Sequence, residues 1–228
     1  MRILVVTATA AEVAPLVSRL TPLSEHNRHL RAYRRGAHDI DVLTTGVGMV
    51  ATATWCSRTL MAADYDLALN AGVCGAFDRA LALGTVVHVT TDQLAELGAE
   101  DGDSFLTIHD LGLLDGNEFP FTAGALVNSS PPDSHVLRSL PLVTAITVST
   151  VHGNDDSIAR AIDRFSPQVE SMEGGAFMYA CLVHRLPFAQ VRSVSNVVER
   201  RNRDAWNVPE AIRTVNATLL AIVESLCA

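Results

Sequence analysis

Three charged side chains stand where the surrounding sequence is apolar, and each asks for a chemical reason. Glu12 is a lone acid in TATAAEVA, at the carboxyl end of a first β-rich run or in the first turn of the helix after it. Glu173 lies in VESMEGGAF, where a strand yields to a helix whose next residues, Gly174, Gly175 and Ala176, are small. Arg192 sits inside the otherwise apolar FAQVRSVSN, and a buried cation is costly without a paired acid, so Glu12 or Glu173 is its natural partner. Taken singly, each has a structural explanation: both acids suit the positive end of a helix dipole, and an ion pair accounts for the arginine. Asn70, Gly72, Gly75, Ser149 and Asn196 also fall near strand ends. Together these residues describe polar groups on separate strands facing one crevice, which is where ligands gather in α/β sheets.

The composition narrows the chemistry. All 17 basic residues are arginine and none is lysine, which removes pyridoxal Schiff bases, Walker A ATPases and kinase-type phosphate grips. A net charge of −8 argues against non-specific nucleic-acid binding. Cys56, Cys74, Cys181 and Cys227 form no CxxC pair, so neither a zinc site nor a disulfide scaffold is expected, and a reducing cytoplasm suits the chain. Cys74 has no histidine near it in sequence and reads as a small packing residue. No apolar run approaches the roughly 18–20 residues of a membrane span. GVGMVA at Gly46–Ala51 matches a GxGxxA dinucleotide fingerprint, with Asp66 at about the interval of a ribose-binding acid. Asp66, however, begins the next strand instead of ending it, so these glycines are read as letting backbone approach a neighbouring strand or a ligand.

The elements that must position these groups alternate between the two periodicities. Strands are expected at Ile3–Thr7, Leu30–Arg34, Asp39–Thr44, Leu67–Asn70 (ending in a glycine turn, AGVCGAF), Thr85–Thr90, Ala145–Thr150 and Phe188–Ser195. Helices are expected after Thr7, from Gly48 to about Ala62, at Ser157–Phe165, at Gly174–His184 and at Val208–Leu226. This pattern predicts a three-layer α/β/α sandwich around a mixed, largely parallel sheet, with residues 1–228 as one domain. Residues 80–137 hold nine acids and no arginine, and read as a solvated excursion, a lid or a subunit contact.

Three of these runs, NAGVCGAF, SMEGGAF and RSVSN, resemble in order the purine nucleoside phosphorylase and nucleosidase superfamily, over essentially the whole chain. Within it, VRSVSNVVERRNRDAWNVPEAI is most similar to futalosine hydrolases. The resemblance implies cleavage of a purine N-glycosidic bond without metal or organic cofactor. Glu173 would hold the ribose hydroxyls with Met172 against the sugar, Glu12 would activate water with Arg192 nearby, and Asn196 would face the purine N7 and six-position with Ser195 beside it. Val47, Gly72 and Ser149 complete the expected substrate contacts. The family also implies a homodimer or larger assembly, here through the helix near Gly48 and the 92–121 excursion.

Two departures select a branch. Phosphorylases of the superfamily hold phosphate with an arginine and a glycine–serine pair where this chain has Asn70-Ala71-Gly72-Val73, so phosphate charge would go uncompensated. Methylthioadenosine/adenosylhomocysteine nucleosidases carry aspartate where Asn196 stands; an amide donates to a six-oxo group or N7 but transfers no proton. Hypoxanthine is therefore the expected base, and futalosine, in the route to menaquinone, the expected substrate. Arg200, Arg201 and Arg203 follow closely, and at least one, with Trp206 as an apolar wall, is expected to bind the substrate's benzoate end; a solvated loop balanced by Glu199 and Asp204 is the alternative. A methylthioadenosine/adenosylhomocysteine nucleosidase and a non-catalytic nucleoside-binding protein are the competing readings.

Overall fold

The first strand, β1 (Arg2–Thr7), is apolar along its length because both its faces are covered. Ile3 and Val5 point into one core with Val13 and Leu16 of α1 (Ala10–Val17), while the alternate residues Leu4 and Val6 point into another. In this computed structural model, which describes residues 1–102 and 104–226, the chain continues through β2 (Thr21–Asn27), β3 (Leu30–Arg35), β4 (His38–Thr44), α2 (Met49–Ala62) and β5 (Leu67–Ala76). Next come β6 (Val86–Leu94), β7 (Gly98–Asp101), β8 (Ser104–Thr107), β9 (Phe121–Thr122), β10 (Ala125–Val127) and the short α3 (His135–Ser139). The last part is β11 (Leu142–Thr147), α4 (Asp155–Phe165), β12 (Val169–Ser171), α5 (Gly174–Val183), β13 (Phe188–Val197) and α6 (Val208–Ser225). Cys227 lies outside the described residues.

Strands β4, β1, β5 and β13 run parallel as neighbours. Val215, Leu219, Ile222 and Val223 of α6 join α1 on one face, and Phe177, Met178 and Cys181 of α5 join Cys56 of α2 on the other. This is the expected mixed sheet between helical layers. Beyond β5 it curls: β12 pairs antiparallel with β5, β11 and β6 follow in parallel, and β6 pairs antiparallel with β13. Five strands, β5, β12, β11, β6 and β13, thus close on one another.

Three local expectations are corrected. AGVCGAF is no turn: β5 runs on to Ala76, and β13 pairs with it from Ala68 to Ala76. Pairing on both edges overrides the turn preference of its glycines. Strand β11 ends at Thr147, three residues before the expected Thr150, which leaves Ser149 and Thr150 exposed. The excursion is only partly solvated, because β6 within it is a central strand and only its later part, including the β7–β8 hairpin, runs along the surface. Among the described residues, no helix is long and apolar enough to cross a membrane.

A polar chain threads the closed part of the sheet. Asp92 of β6, fully buried, accepts from Thr147 Oγ1 (2.8 Å) and from Gln190 Nε2 (3.1 Å), and Gln190 Oε1 accepts from Arg192 Nε (3.2 Å). An amide has one donating and one accepting end, so the carboxylate fixes which end of Gln190 meets the guanidinium. Helix α5 starts directly against this chain. A Cβ at Gly174 would stand 2.5 Å from Asp92 Oδ2 and would strike Gln190 Oε1, so only glycine permits the approach. Burial is the largest influence on Asp92 and lifts its carboxyl from 3.8 to about 6, against hydrogen bonds from Gln190 and Thr147 and the Arg192 charge. Between about pH 4 and pH 6 the native state therefore holds a proton that the unfolded chain has lost. The associated stability is complete below about pH 4 and gone above about pH 6. Asp92→Asn should remove that fall, on the order of 2–3 kcal/mol, as read from urea unfolding of both proteins between pH 4.5 and 7. An equal pH slope in the two would refute it.

Candidate active site

Arg192 is the side chain around which the other groups are set. It is 1% exposed on β13, and its guanidinium donates to Gln190 Oε1 and, through Nη2, to Asn70 Oδ1 of β5. Asn70 is itself held by donation from Nδ2 to the Val6 carbonyl (3.0 Å). Of the two acids expected as its partner, Glu173 is the one that pairs, with Nη1 to Oε2 at 3.7 Å. The guanidinium crosses β5 over Gly72, where any Cβ would overlap Nη1 and lie 3.2 Å from Glu12 Oε1. Arginine and Glu12 thus converge over the same glycine.

The two acids sit at helix starts but use them differently. Glu12 does serve the first turn of α1: its Oε2 accepts from the Thr9 N–H (2.8 Å) and is within 3.2 Å of the Thr7 and Thr9 hydroxyls. Its Oε1 takes no hydrogen bond from the described residues and faces the Gly72 side. Glu173 does not cap α5. Ser171 Oγ accepts the Gly174 N–H (3.2 Å) and Thr147 Oγ1 the Gly175 N–H (2.7 Å). The Glu173 carboxylate is left to accept from the Gly48 N–H (3.0 Å) at the start of α2 and to face Arg192.

The two acids border a cavity of about 210 Å³, while Arg192 and Gly72 lie behind its lining. Glu12, Glu173, Met172, Val47, Ser195 and Asn196 line it, six of the residues expected at the site. At its far end β13 carries a register shift between Val194 and Asn196, so that Asn196 pairs with Gly75 and Ser195 is the extra residue. Such a bulge re-aims side chains. The Ser195 hydroxyl reaches Asn196 Oδ1 (2.9 Å) and the Cys74 carbonyl (3.1 Å), while Asn196 Nδ2 donates to the Val197 carbonyl (3.1 Å), which leaves one N–H of the amide unused. Trp206 also lines the cavity, its loop tied down by donation from the Asn207 N–H to the Ser195 carbonyl (2.8 Å).

Other expected residues are placed elsewhere. Ser149 is exposed and spends its N–H on Glu96 (2.7 Å), because β11 ends before it. Arg200 and Arg203 are exposed and do not line the cavity. Arg201 is likewise exposed and outside the lining, but its guanidinium lies 5.3 Å from the Trp206 ring centre. Asp66 immediately precedes β5, bonded to the Arg2 N–H (2.7 Å), away from the cavity, so GVGMVA is no dinucleotide fingerprint. Cys74 is buried and burial pushes its thiol up to about 12, which leaves no thiolate for attack. Sequence reading missed Glu170 and His152, both on the cavity wall. No local pattern flags Glu170, because β12 is three residues long and all three are buried.

Known proteins resemble this chain over nearly its whole length. The family model described as Phosphorylase superfamily matches residues 2–228. A futalosine hydrolase of Streptomyces coelicolor is 32% identical over 93% of this chain and 91% of its own length. One from Acidothermus cellulolyticus is 30% identical over 98% and 91%. Among solved structures, a 5′-methylthioadenosine/S-adenosylhomocysteine nucleosidase from Colwellia psychrerythraea in complex with adenine superposes with a TM-score of 0.80 at 20% identity, covering 99% of this chain and 96% of that one. With a family model matching nearly its whole length and relatives at 30–32% identity, the chain belongs to the phosphorylase superfamily.

Proposed function

We propose that this chain is an N-glycosyl hydrolase that cleaves futalosine to hypoxanthine and dehypoxanthinyl futalosine, as a step toward menaquinone. The observation that carries hydrolysis over phosphorolysis is the electrostatics over Gly72. An oxyanion there would meet Glu12 Oε1, while the one cation within reach, Arg192, is already engaged by Asn70, Gln190 and Glu173. Water suits that place, because Glu12 can take its proton. As the C1′–N9 bond breaks, its electron pair goes to the purine and the ribose becomes oxocarbenium-like. Water oxygen then bonds to C1′. Glu173 accepts from the ribose hydroxyls with Met172 against the sugar, and the Asn196 N–H that is not given to the Val197 carbonyl donates to N7 or the six-oxo group as negative charge builds on the base. An amide at this position also weighs against the methylthioadenosine/adenosylhomocysteine reading, which relies on a carboxylate there.

The purified protein should release hypoxanthine from futalosine without phosphate, followed by chromatography. Adenine released from methylthioadenosine instead would favour the nucleosidase alternative, and tight purine binding without turnover would favour a binding protein. Glu12→Gln and Glu173→Gln should each lower kcat by about a hundredfold or more. Stacking on Trp206 supports Arg201 as the arginine that meets the benzoate carboxylate. Arg201→Ala should raise KM for futalosine several-fold and leave KM for inosine unchanged; equal effects on both would remove that assignment. Val50 and Met61 expose apolar side chains on one face of α2, and Leu113 and Phe119 do so in the excursion, which supports assembly through these surfaces. Light scattering that returned a monomer mass would end that reading.

A further inference from the structure

Asn216 stands on the buried face of α6, among Ala211, Val215, Leu219 and Ile222, and is 3% exposed. None of the catalytic steps uses it. A buried amide must have its bonds met, and both ends of this one reach the backbone of α1, 200 and 204 residues earlier in the chain. Its Oδ1 accepts the Leu16 N–H (3.0 Å), and its Nδ2 donates to the Glu12 carbonyl (2.7 Å) and to the Ile212 carbonyl of its own helix (2.6 Å). In an uninterrupted α-helix the N–H of residue 16 and the carbonyl of residue 12 bond each other. Here each is bonded to one end of the same side-chain amide, which stands in the ladder as a peptide group would. Pro15 accounts for the opening: it has no N–H to give the Ala11 carbonyl, and its ring crowds that carbonyl, so the turn before Leu16 is already interrupted.

Two sets of restraints therefore act on Glu12. Thr7 and Thr9 hold Oε2 against the start of the helix, which fixes the carboxylate relative to α1. What fixes α1 relative to the sheet is a separate matter. Val13 and Leu16 pack it into the core, but apolar contact is non-directional and leaves a helix free to slide or turn. Among the described residues, the bonds to Asn216 are the only hydrogen bonds between the α1 backbone and another helix or strand. Helix α6 is itself seated on the sheet, with Val215 and Leu219 in one core with Leu69 and Ala71 of β5 and Val191 of β13. We propose that Asn216 is a positioning residue for the reaction, setting the Glu12 backbone so that Oε1 stands over Gly72 where the attacking water is met. This rests on the reading of Glu12 as the base for that water. A misplacement of about 1 Å at a reacting group can cost about a hundredfold in rate. The groups assigned to sugar and purine, Met172, Glu173 and Asn196, stand on other elements, so the loss falls on kcat and spares KM.

Asn216→Leu, which removes donor and acceptor and fills the space, tests this with futalosine as substrate, both in the native chain and in Glu12→Gln. In the native chain it should lower kcat by about tenfold or more and change KM by less than about twofold. In Glu12→Gln, where no base remains to be placed, it should lower the residual kcat by less than about twofold, because residues that act as a unit are not additive. A residue that merely supports the fold would cost the same factor in both backgrounds, and that result overturns the proposal. An unchanged kcat in the native chain overturns it as well. Melting curves identify folded variants, and Asn216→Ala, which removes the same bonds without crowding the helices, decides by the same criteria where leucine prevents folding. The underlying reading fails separately: Glu12→Gln would by itself leave kcat unchanged, and the proposal would fall with it.

Discussion

A guanidinium buried at 1% exposure imposes more on this fold than any apolar contact does. Removing a cation from water costs several kcal/mol unless its donors are met, and Arg192 has five N–H donors in a fixed planar fork. Asn70, Gln190 and Glu173 meet it from β5, β13 and the start of α5. Each of those partners is fixed in turn, Asn70 by the Val6 carbonyl and Gln190 by Asp92. The consequence spreads through the backbone. Gly72 must lack a side chain for the guanidinium to cross β5, and Gly174 must lack one for α5 to start against Gln190 and Asp92. The site's geometry is thereby fixed by the core of the closed sheet, not by the loops around it.

Helix starts are the other organising device, and they show how one residue type does different work in different company. At α1, Glu12 satisfies backbone N–H with one oxygen and keeps the other for the cavity. At α5 the same need is met by Ser171 and Thr147, so the whole Glu173 carboxylate is released to the Gly48 N–H and Arg192. Neighbouring hydroxyls therefore decide how much of each acid is available to a ligand. That division cannot be read from the acid's position alone.

The contrast between what was legible and what was hidden follows from range. Strands β1, β4 and β13 and helices α2 and α6 are visible in the sequence because burial on one or both sides writes a local pattern into each. Glu12, Glu173, Arg192 and Asn196 stood out as polar residues in apolar surroundings or in motifs. AGVCGAF was misread because its glycines signal a turn locally, whereas their role is set by partners about 120 residues away in β13. The solvated β2 carries a proline and no buried side chain, so it left no periodic trace. Glu170 was hidden by brevity: β12 has three residues, too few for alternation to declare which way the acid points.

The placement of Glu170 and Asn196 on either side of Gly75 also explains why β5 continues through the cavity instead of ending at it. Ligands in open α/β sheets lie beyond strand ends because side chains along a strand would fill the space above it. Here β5 carries glycine at two positions three residues apart, and because successive residues alternate between faces the two open toward opposite sides of the strand. Over Gly72 stand the Arg192 guanidinium and Glu12; over Gly75 stand Val198, Asn196 and Glu170. Gly72 thus gives the buried arginine its passage, and Gly75 lets the bulged end of β13 and the short β12 close over the strand, so one backbone carries both the core ion pair and a wall of the cavity.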